Sequence, residues 1–227
     1  MAGETHFGKV LEDVVRKEFI QRTGLMVRKK NSILRSKEYP FMIADVDGII
    51  SELDSTYSIF EAKTAIEFKN NDWKNGEIPK VYQLQVQHYM AVTGFQKAYI
   101  AVLVGGNKFY WTEVYRDEQL IKMLVSMESH FWHCVRGGEE PDVDASKATS
   151  LYLGAKYNNA KVGSVIDLDE QMLSAIEKYE QIKIELDSLT EQKRLVENQL
   201  KSALAENEAG RVGGHIVKWK PIVQTRI

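Results

Sequence analysis

Residues 43–63 read IADVDGIISELDSTYSIFEAK. Two runs rich in Ile, Val, Tyr and Phe flank the turn-forming stretch ELDST (52–56), which predicts a β-hairpin of residues 41–51 and 57–64. Side chains two apart on a strand share a face, so Glu61 and Lys63 project together while Phe60 and Ala62 point the other way. Asp45 and Asp47 likewise share a face of the first run, and hairpin pairing can bring one of them beside Glu61. Two carboxylates a few ångströms apart repel each other unless a cation lies between them. A set of oxygen ligands suits a hard ion such as Mg²⁺. A lysine beside them can orient or deprotonate a water, or offset charge growing on a phosphate. The plainer alternative is an exposed hairpin, with Asp47-Gly48 as turn chemistry and Glu61–Lys63 as a surface ion pair. Taken alone, D-G…E-x-K is common enough that this alternative comes first. Against it, Glu61 and Lys63 follow YSIF in an apolar run, where charge without a partner is expensive; that favours a compensated cluster.

Working outward, residues Gly8 to about Arg22 place Val10, Leu11, Val14, Val15, Phe19 and Ile20 at helical spacing before Gly24. Residues 25–36 alternate loosely and read as a strand, and 65–78 as a loop. Pro79 opens and Gly94 closes a helix, KVYQLQVQHYMAVTG. Two strands, 97–104 and 108–115, surround a Gly-Gly-Asn turn, and Asp117 caps a helix running to about Arg136. The order is helix, three strands, helix, two strands, helix. It predicts an α/β core with a mixed five-stranded sheet flanked by helices. A polar stretch, 141–165, ends the core domain at 1–165.

Residues 166–227 form a different region. From 166 to 209 there is neither Pro nor Gly, and a heptad seam runs through Met172, Tyr179, Leu186, Lys193 and Leu200 and through Ala175, Ile182, Leu189, Val196 and Ala203. A continuous helix would be roughly 60 Å long. Lys193 interrupts the seam, and DSLTEQ (187–192) offers a place for a break. The end, GRVGGHIVKWKPIVQTRI, reads as a short strand or hairpin. The seam can pack on the core, pair with another subunit, or grip DNA through its basic end. Trp219, between Lys218 and Lys220, reads as a core residue before it reads as a base-stacking one.

Composition narrows the function. The chain has 44% hydrophobic and 27% charged residues and a net charge of −2, ordinary for a globular protein and unlike one that coats nucleic acid. Basic residues still cluster locally: nine lie between Lys9 and Lys37 against three acids, and four follow from Arg211 without an acid. The single cysteine, Cys134, excludes an internal disulfide and a thiolate zinc site. With no apolar span and no leader pattern, the expected location is the cytoplasm. The histidines show no HExxH spacing, and no Walker-type or G-x-S-x-G loop is present.

Two helices supply further candidates. Gln85 and Tyr89 are four apart and share a helical face, whereas Gln87 lies on another. Glu12 follows Gly8 by four. The series G-x-x-x-E (Gly8, Glu12), D-G (Asp47, Gly48), E-x-K (Glu61, Lys63) and Q-x-x-x-Y (Gln85, Tyr89), in that order, resembles the PD-(D/E)XK nucleases. Within them, QVQHYMAVTG after E-x-K is similar to the phage lambda exonuclease and YqaJ-type viral recombinase family. The resemblance spans residues 6–115.

It implies a Mg²⁺-dependent deoxyribonuclease, with Mn²⁺ as a substitute, that degrades one strand of linear duplex DNA from its 5′ end. Asp47, Glu61 and the Ala62 carbonyl would bind metal, with Glu12 supporting directly or through water. Lys63 would activate the attacking water, and Gln85 would orient the lysine or the phosphate. Gly48 makes Asp47, rather than Asp45, the family-like choice. Relatives hold the 5′ phosphate with an Arg-containing helix and Ser-rich turn ahead of G-x-x-x-E. This chain starts almost at that motif, so Arg22, Arg28, Lys30, Arg35 and Lys37 are the candidates here, with Tyr89 as a further DNA contact. The resemblance also implies a homotrimer around DNA, a single-strand annealing recombination protein as partner, no membrane, and a phage or prophage origin in a bacterial host. The alternatives are an endonuclease on the same fold and a non-catalytic DNA-binding or assembly module.

Overall fold

The computed structural model describes residues 2–159 and 161–219, with side chains from His6 onward. Helix α1 (Ala2–Thr23) leads into short strands β1 (Val27–Arg28), β2 (Leu34–Arg35) and β3 (Ile43–Ala44), then strands β4 (Gly48–Ser51) and β5 (Tyr57–Ala65). Two 3₁₀ turns, Glu67–Asp72 and Lys74–Gly76, precede α2 (Lys80–Thr93). Strands β6 (Lys97–Val104) and β7 (Lys108–Tyr115) and helix α3 (Glu118–Gly137) follow. One mixed sheet runs in the order β1-β4-β5-β6-β7, with β5 and β6 parallel and the other neighbours antiparallel. The parallel step requires a crossover, and α2 supplies it.

Residues fall on the two faces of the sheet as strand alternation requires. Ile59 joins Val86 and Met90 of α2 in one buried cluster, while Phe60 joins Val15 and Phe19 of α1 in the other. The Phe19 and Phe60 rings lie 5.0 Å apart, and each such buried side chain contributes about 1.5–3 kcal/mol. The stripe on α1 is rotated from its expected course: Val15 and Phe19 are buried, whereas Val10 and Val14 are exposed.

Caps behave as anticipated. Gly94 takes a left-handed φ of 77° and its N–H bonds the Met90 carbonyl, ending α2. The Asp117 carboxylate accepts from the Gln119 and Leu120 N–H groups at 3.0 Å, opening α3. His88 contacts Glu128 of α3 and the Ile43 carbonyl, each at 2.8 Å, and so ties β3 to α2.

Three expectations need correction. Residues 25–36 and 41–51 are not continuous strands: β1 pairs with β4, β2 pairs with β3, and 45–47 form no ladder. Asp47 therefore precedes a strand rather than ending one. Gly48 is not a turn residue. It opens β4 with a Cβ position only 2.5 Å from Val27 Cγ1 and 3.1 Å from the Arg28 carbonyl, so close packing excludes a side chain there. Residues 65–78 are more than a loop, because Asn70 and Trp73 are buried and Tyr110 donates to Asn70 at 2.9 Å.

The chain divides into two compact units after Asp144. The second holds α4 (Lys147–Lys156), α5 (Gln171–Leu204) and the hairpin of β8 (Ala209–Val212) and β9 (His215–Lys218). Helix α4 occupies part of the stretch read as a polar spacer. Helix α5 runs through DSLTEQ without a break for 34 residues, about 50 Å. Its end is closed by the Lys201 ammonium over the Trp219 ring at 4.1 Å. Lys220 and the remainder of the terminal run, 220–227, lie outside the described residues. No helix among the described residues is long and apolar enough to cross a membrane.

Candidate active site

The site arises where β4 and β5 part. Their ladder stops at Gly48–Phe60, so the Ala62 N–H loses a backbone partner, and the Asp47 carboxylate accepts it instead at 2.8 Å. An unpaired strand N–H is costly, which explains why a short acidic side chain sits one residue before the strand. Asp47 is thereby fixed beside the β5 residues 61–63. Ala44 and Val46 are buried in the core, which turns Asp45 and Asp47 to the opposite side, into an open cavity of about 370 Å³. Gly8, Lys9 and Glu12 of α1 and Glu61, Ala62 and Lys63 of β5 line the same cavity. Asp45 is exposed there, while Asp47 is partly buried.

Glu61 is the anomaly. It is 3% exposed. Its Oε1 accepts from Lys63 Nζ at 2.6 Å and from Gln85 Nε2 at 3.1 Å, but its buried Oε2 has no partner. An unsatisfied buried charged oxygen costs upwards of about 1–3 kcal/mol. Burial, then the charge of Asp47, pushes the Glu61 carboxyl up to about 7, against the counter-effect of Lys63. Asp47 is also raised, chiefly by burial, despite the Ala62 N–H and Lys63. Glu12 is raised by burial and by Asp47. These acids share one field, which the nearby lysines offset only in part.

A divalent cation fits this donor set. The orphaned Glu61 Oε2 and the Asp47 carboxylate are hard oxygen donors. The Ala62 carbonyl faces the same side of the strand as its N–H, toward Asp47. Glu12 lines the cavity, yet among the described residues no three His, Cys, Asp or Glu side chains gather as a ready ligand cluster.

The chain has known relatives. A model of the YqaJ-like viral recombinase domain matches residues 2–96. The YqaJ protein of Bacillus subtilis (strain 168) is 41% identical over 225 residues, covering 98% of this chain and 70% of that one. The chain belongs to the YqaJ-like viral recombinase family. A solved nuclease shares its fold. An alkaline exonuclease from Laribacter hongkongensis superposes with a TM-score of 0.51 at 21% identity, over 68% of this chain and 74% of the other.

In this YqaJ-like site two aromatic residues escaped the sequence reading. The Tyr82 ring lies 4.8 Å from Lys63 Nζ and stacks on buried Trp73 at 5.3 Å. Lys63 is thus held between a carboxylate and a ring face. Tyr82, Gln85 and Tyr89 recur at i, i+3 and i+7 on α2, a spacing that could have revealed it. Gln85 also donates to the Tyr89 hydroxyl at 2.9 Å, which makes Tyr89 a support for Gln85. The basic candidates separate. None of Arg22, Arg28, Lys30, Arg35 and Lys37 lines the cavity of Asp47 and Glu61. Arg22 pairs with Glu18 at 2.7 Å, and Arg35 and Lys37 line another cavity, of about 420 Å³, at the C-terminal end of α2. Lys9 lines the acidic cavity, and Lys29 bonds Asp13 at 2.7 Å while acting on Glu12 and Asp47.

Proposed function

We propose that this chain is a metal-dependent exonuclease that degrades one strand of linear duplex DNA from the 5′ end and leaves a 3′ overhang. The observation that carries the reading is the buried, partnerless Glu61 Oε2 beside Asp47 and Lys63. Membership of a viral recombinase family and the likeness to an alkaline exonuclease fold point the same way. Asp47, Glu61 and the Ala62 carbonyl would hold Mg²⁺, or Mn²⁺ in its place, with Glu12 assisting through water. Bound there, the metal would lower the pKa of a water and neutralise phosphate charge.

The chain's own residues do the rest. Gln85 and Lys63 fix Glu61 Oε1, which leaves Oε2 for the cation. Lys63, with its side chain 17% exposed, reaches the cavity, where its ammonium orients a water and offsets charge developing on a phosphate oxygen. The Tyr82 ring, facing Nζ, helps hold the ammonium in place. The resemblance to lambda-type exonucleases supports a trimer threaded by DNA and a single-strand annealing protein that takes the overhang.

The test is digestion of linear duplex carrying a 5′ or a 3′ label, with closed circular duplex in parallel. Wild type should release the 5′ label first with Mg²⁺, leave circles intact, and stop when the metal is chelated. Lys63→Ala should lose about 10²–10³-fold in rate, the scale of losing an electrostatic stabiliser. Cleaved circles, or a Lys63→Ala rate equal to wild type, would sink the reading.

A further inference from the structure

Helix α5 carries an apolar seam that the rest of its own unit, residues 145–227, leaves open. Every residue from Gln171 to Leu200 is exposed, and the large seam residues Tyr179, Leu186 and Leu189 are 60–68% exposed. A helix this long, without Gly or Pro, does not leave such a face in water without a partner. We propose that two copies of this chain pair along α5 as a full-length antiparallel coiled coil. The inference is independent of the nuclease chemistry.

The two columns of the seam decide the orientation. One holds the bulkier set, Met172, Tyr179, Leu186, Lys193 and Leu200. The other holds Ala175, Ile182, Leu189, Val196 and Ala203. A parallel pair stacks each column on itself. Lys193 then meets the second copy's Lys193 inside the seam, and Ala175 and Ala203 meet their own counterparts and leave gaps. In addition, Lys178 comes beside the second copy's Lys183 at the flanking positions. All three outcomes are unfavourable.

An antiparallel pair at full overlap removes them together. Met172 meets Ala203, Tyr179 meets Val196, Leu200 meets Ala175, and Leu186 meets Leu189 at the centre. Large residues then oppose small ones toward the ends, as close packing requires. Lys193 faces Ile182 of the other copy, along which its methylene stem can lie. Its ammonium is already paired with Glu197 on its own helix at 3.5 Å. Lys183 faces Thr190 and Glu197 of the other copy instead of a lysine.

Disulfide trapping of the full chain tests the pairing. Met172→Cys and Ala203→Cys are made separately, and the native Cys134 is buried. Mild oxidation of the mixed variants should join a 172 chain to a 203 chain, while neither variant alone joins to itself. Adding Leu186→Glu and Leu189→Glu to both should reduce the cross-linked fraction at least tenfold, with the helical circular dichroism of the rest retained. A 172–172 product, or no product from the unbroken seam at micromolar protein, would overturn the proposal. Because the readout is position-specific, association through the first unit does not mimic it.

Discussion

Two glutamate–lysine pairs lie along strand β5, one partly buried and one with its carboxylate fully buried, and they are opposites. Near its start, Glu52 accepts from Ser58 Oγ at 2.6 Å and pairs with Lys97 at 3.0 Å, and Lys97 also donates to the Tyr99 hydroxyl at 2.7 Å. These bonds outweigh burial and hold the Glu52 carboxyl below its ordinary value. Further along β5, Glu61 has a lysine at 2.6 Å and yet sits far above its ordinary value, with one oxygen unpaired. A cavity of about 710 Å³, larger than the one beside Glu61, lies at the Glu52 end. Cavity size therefore does not set the Glu61 end apart. What distinguishes the two is whether the protein itself completes the carboxylate, and where it does not, an external cation can.

The comparison is broken most readily by exchanging each glutamate for glutamine. Glu61→Gln should lower the nuclease rate by about 10²–10³-fold while leaving stability in metal-free buffer at pH 8 unchanged or improved, since it removes an unsatisfied charge. Glu52→Gln should do the reverse, keeping the rate within threefold and costing about 1–3 kcal/mol in urea denaturation. If both substitutions affected rate and stability alike, the two ends would not differ in kind.

A smaller effect sharpens the role of Lys63. Tyr82→Leu should reduce the rate about tenfold, in line with about 1–2 kcal/mol for a shielded cation–π contact, and Tyr82→Phe should restore most of it. An unchanged rate in Tyr82→Leu would reduce the ring to packing. Gly48→Ala forces Val27 and the Arg28 carbonyl aside and should cost about 1–3 kcal/mol. A melting temperature equal to wild type would show that β4 and β1 can separate freely.

The pH dependences have opposite signs. The folded Glu61 carboxyl, at about 7 against 4.5 ordinarily, binds more proton than the unfolded chain between those values. Its contribution to stability is therefore present below about pH 4.5 and is lost as pH rises toward 7. Glu52, lowered on folding, contributes above its ordinary value and loses that contribution as pH falls below it. Metal-free denaturation from pH 4 to 9 should show Glu61→Gln flattening the first trend alone. A wild-type slope retained in Glu61→Gln would assign that trend to other groups.

Much of this was legible from residue spacing. Period-two alternation put Glu61 and Lys63 on one face, and period 3.6 put Gln85 with Tyr89, as found. The five-stranded sheet followed from the order of apolar runs. What spacing could not reveal was the break at 45–47, because Asp47 replaces a ladder bond that only the partner strand could expose. Spacing did put Gln85 and Gln87 on different faces, but did not show what each of them bonds. The first reaches Glu61, and the second is buried and bonds the Tyr115 carbonyl and the Asp117 N–H at 2.7 and 3.0 Å. The basic residues were read by sign alone, and their direction depends on the short strands β1 and β2. DSLTEQ looked like a break because Ser, Thr and Asp compete locally for backbone bonds, yet 34 continuous helical residues outweigh one such stretch.

The central claim, that Glu61 Oε2 awaits a cation, is tested most directly by the melting temperature of the full chain titrated with Mn²⁺ at pH 8. Wild type and Glu52→Gln should each rise with metal by several degrees, and Glu61→Gln should not respond. A rise in Glu61→Gln equal to that of wild type would contradict the account.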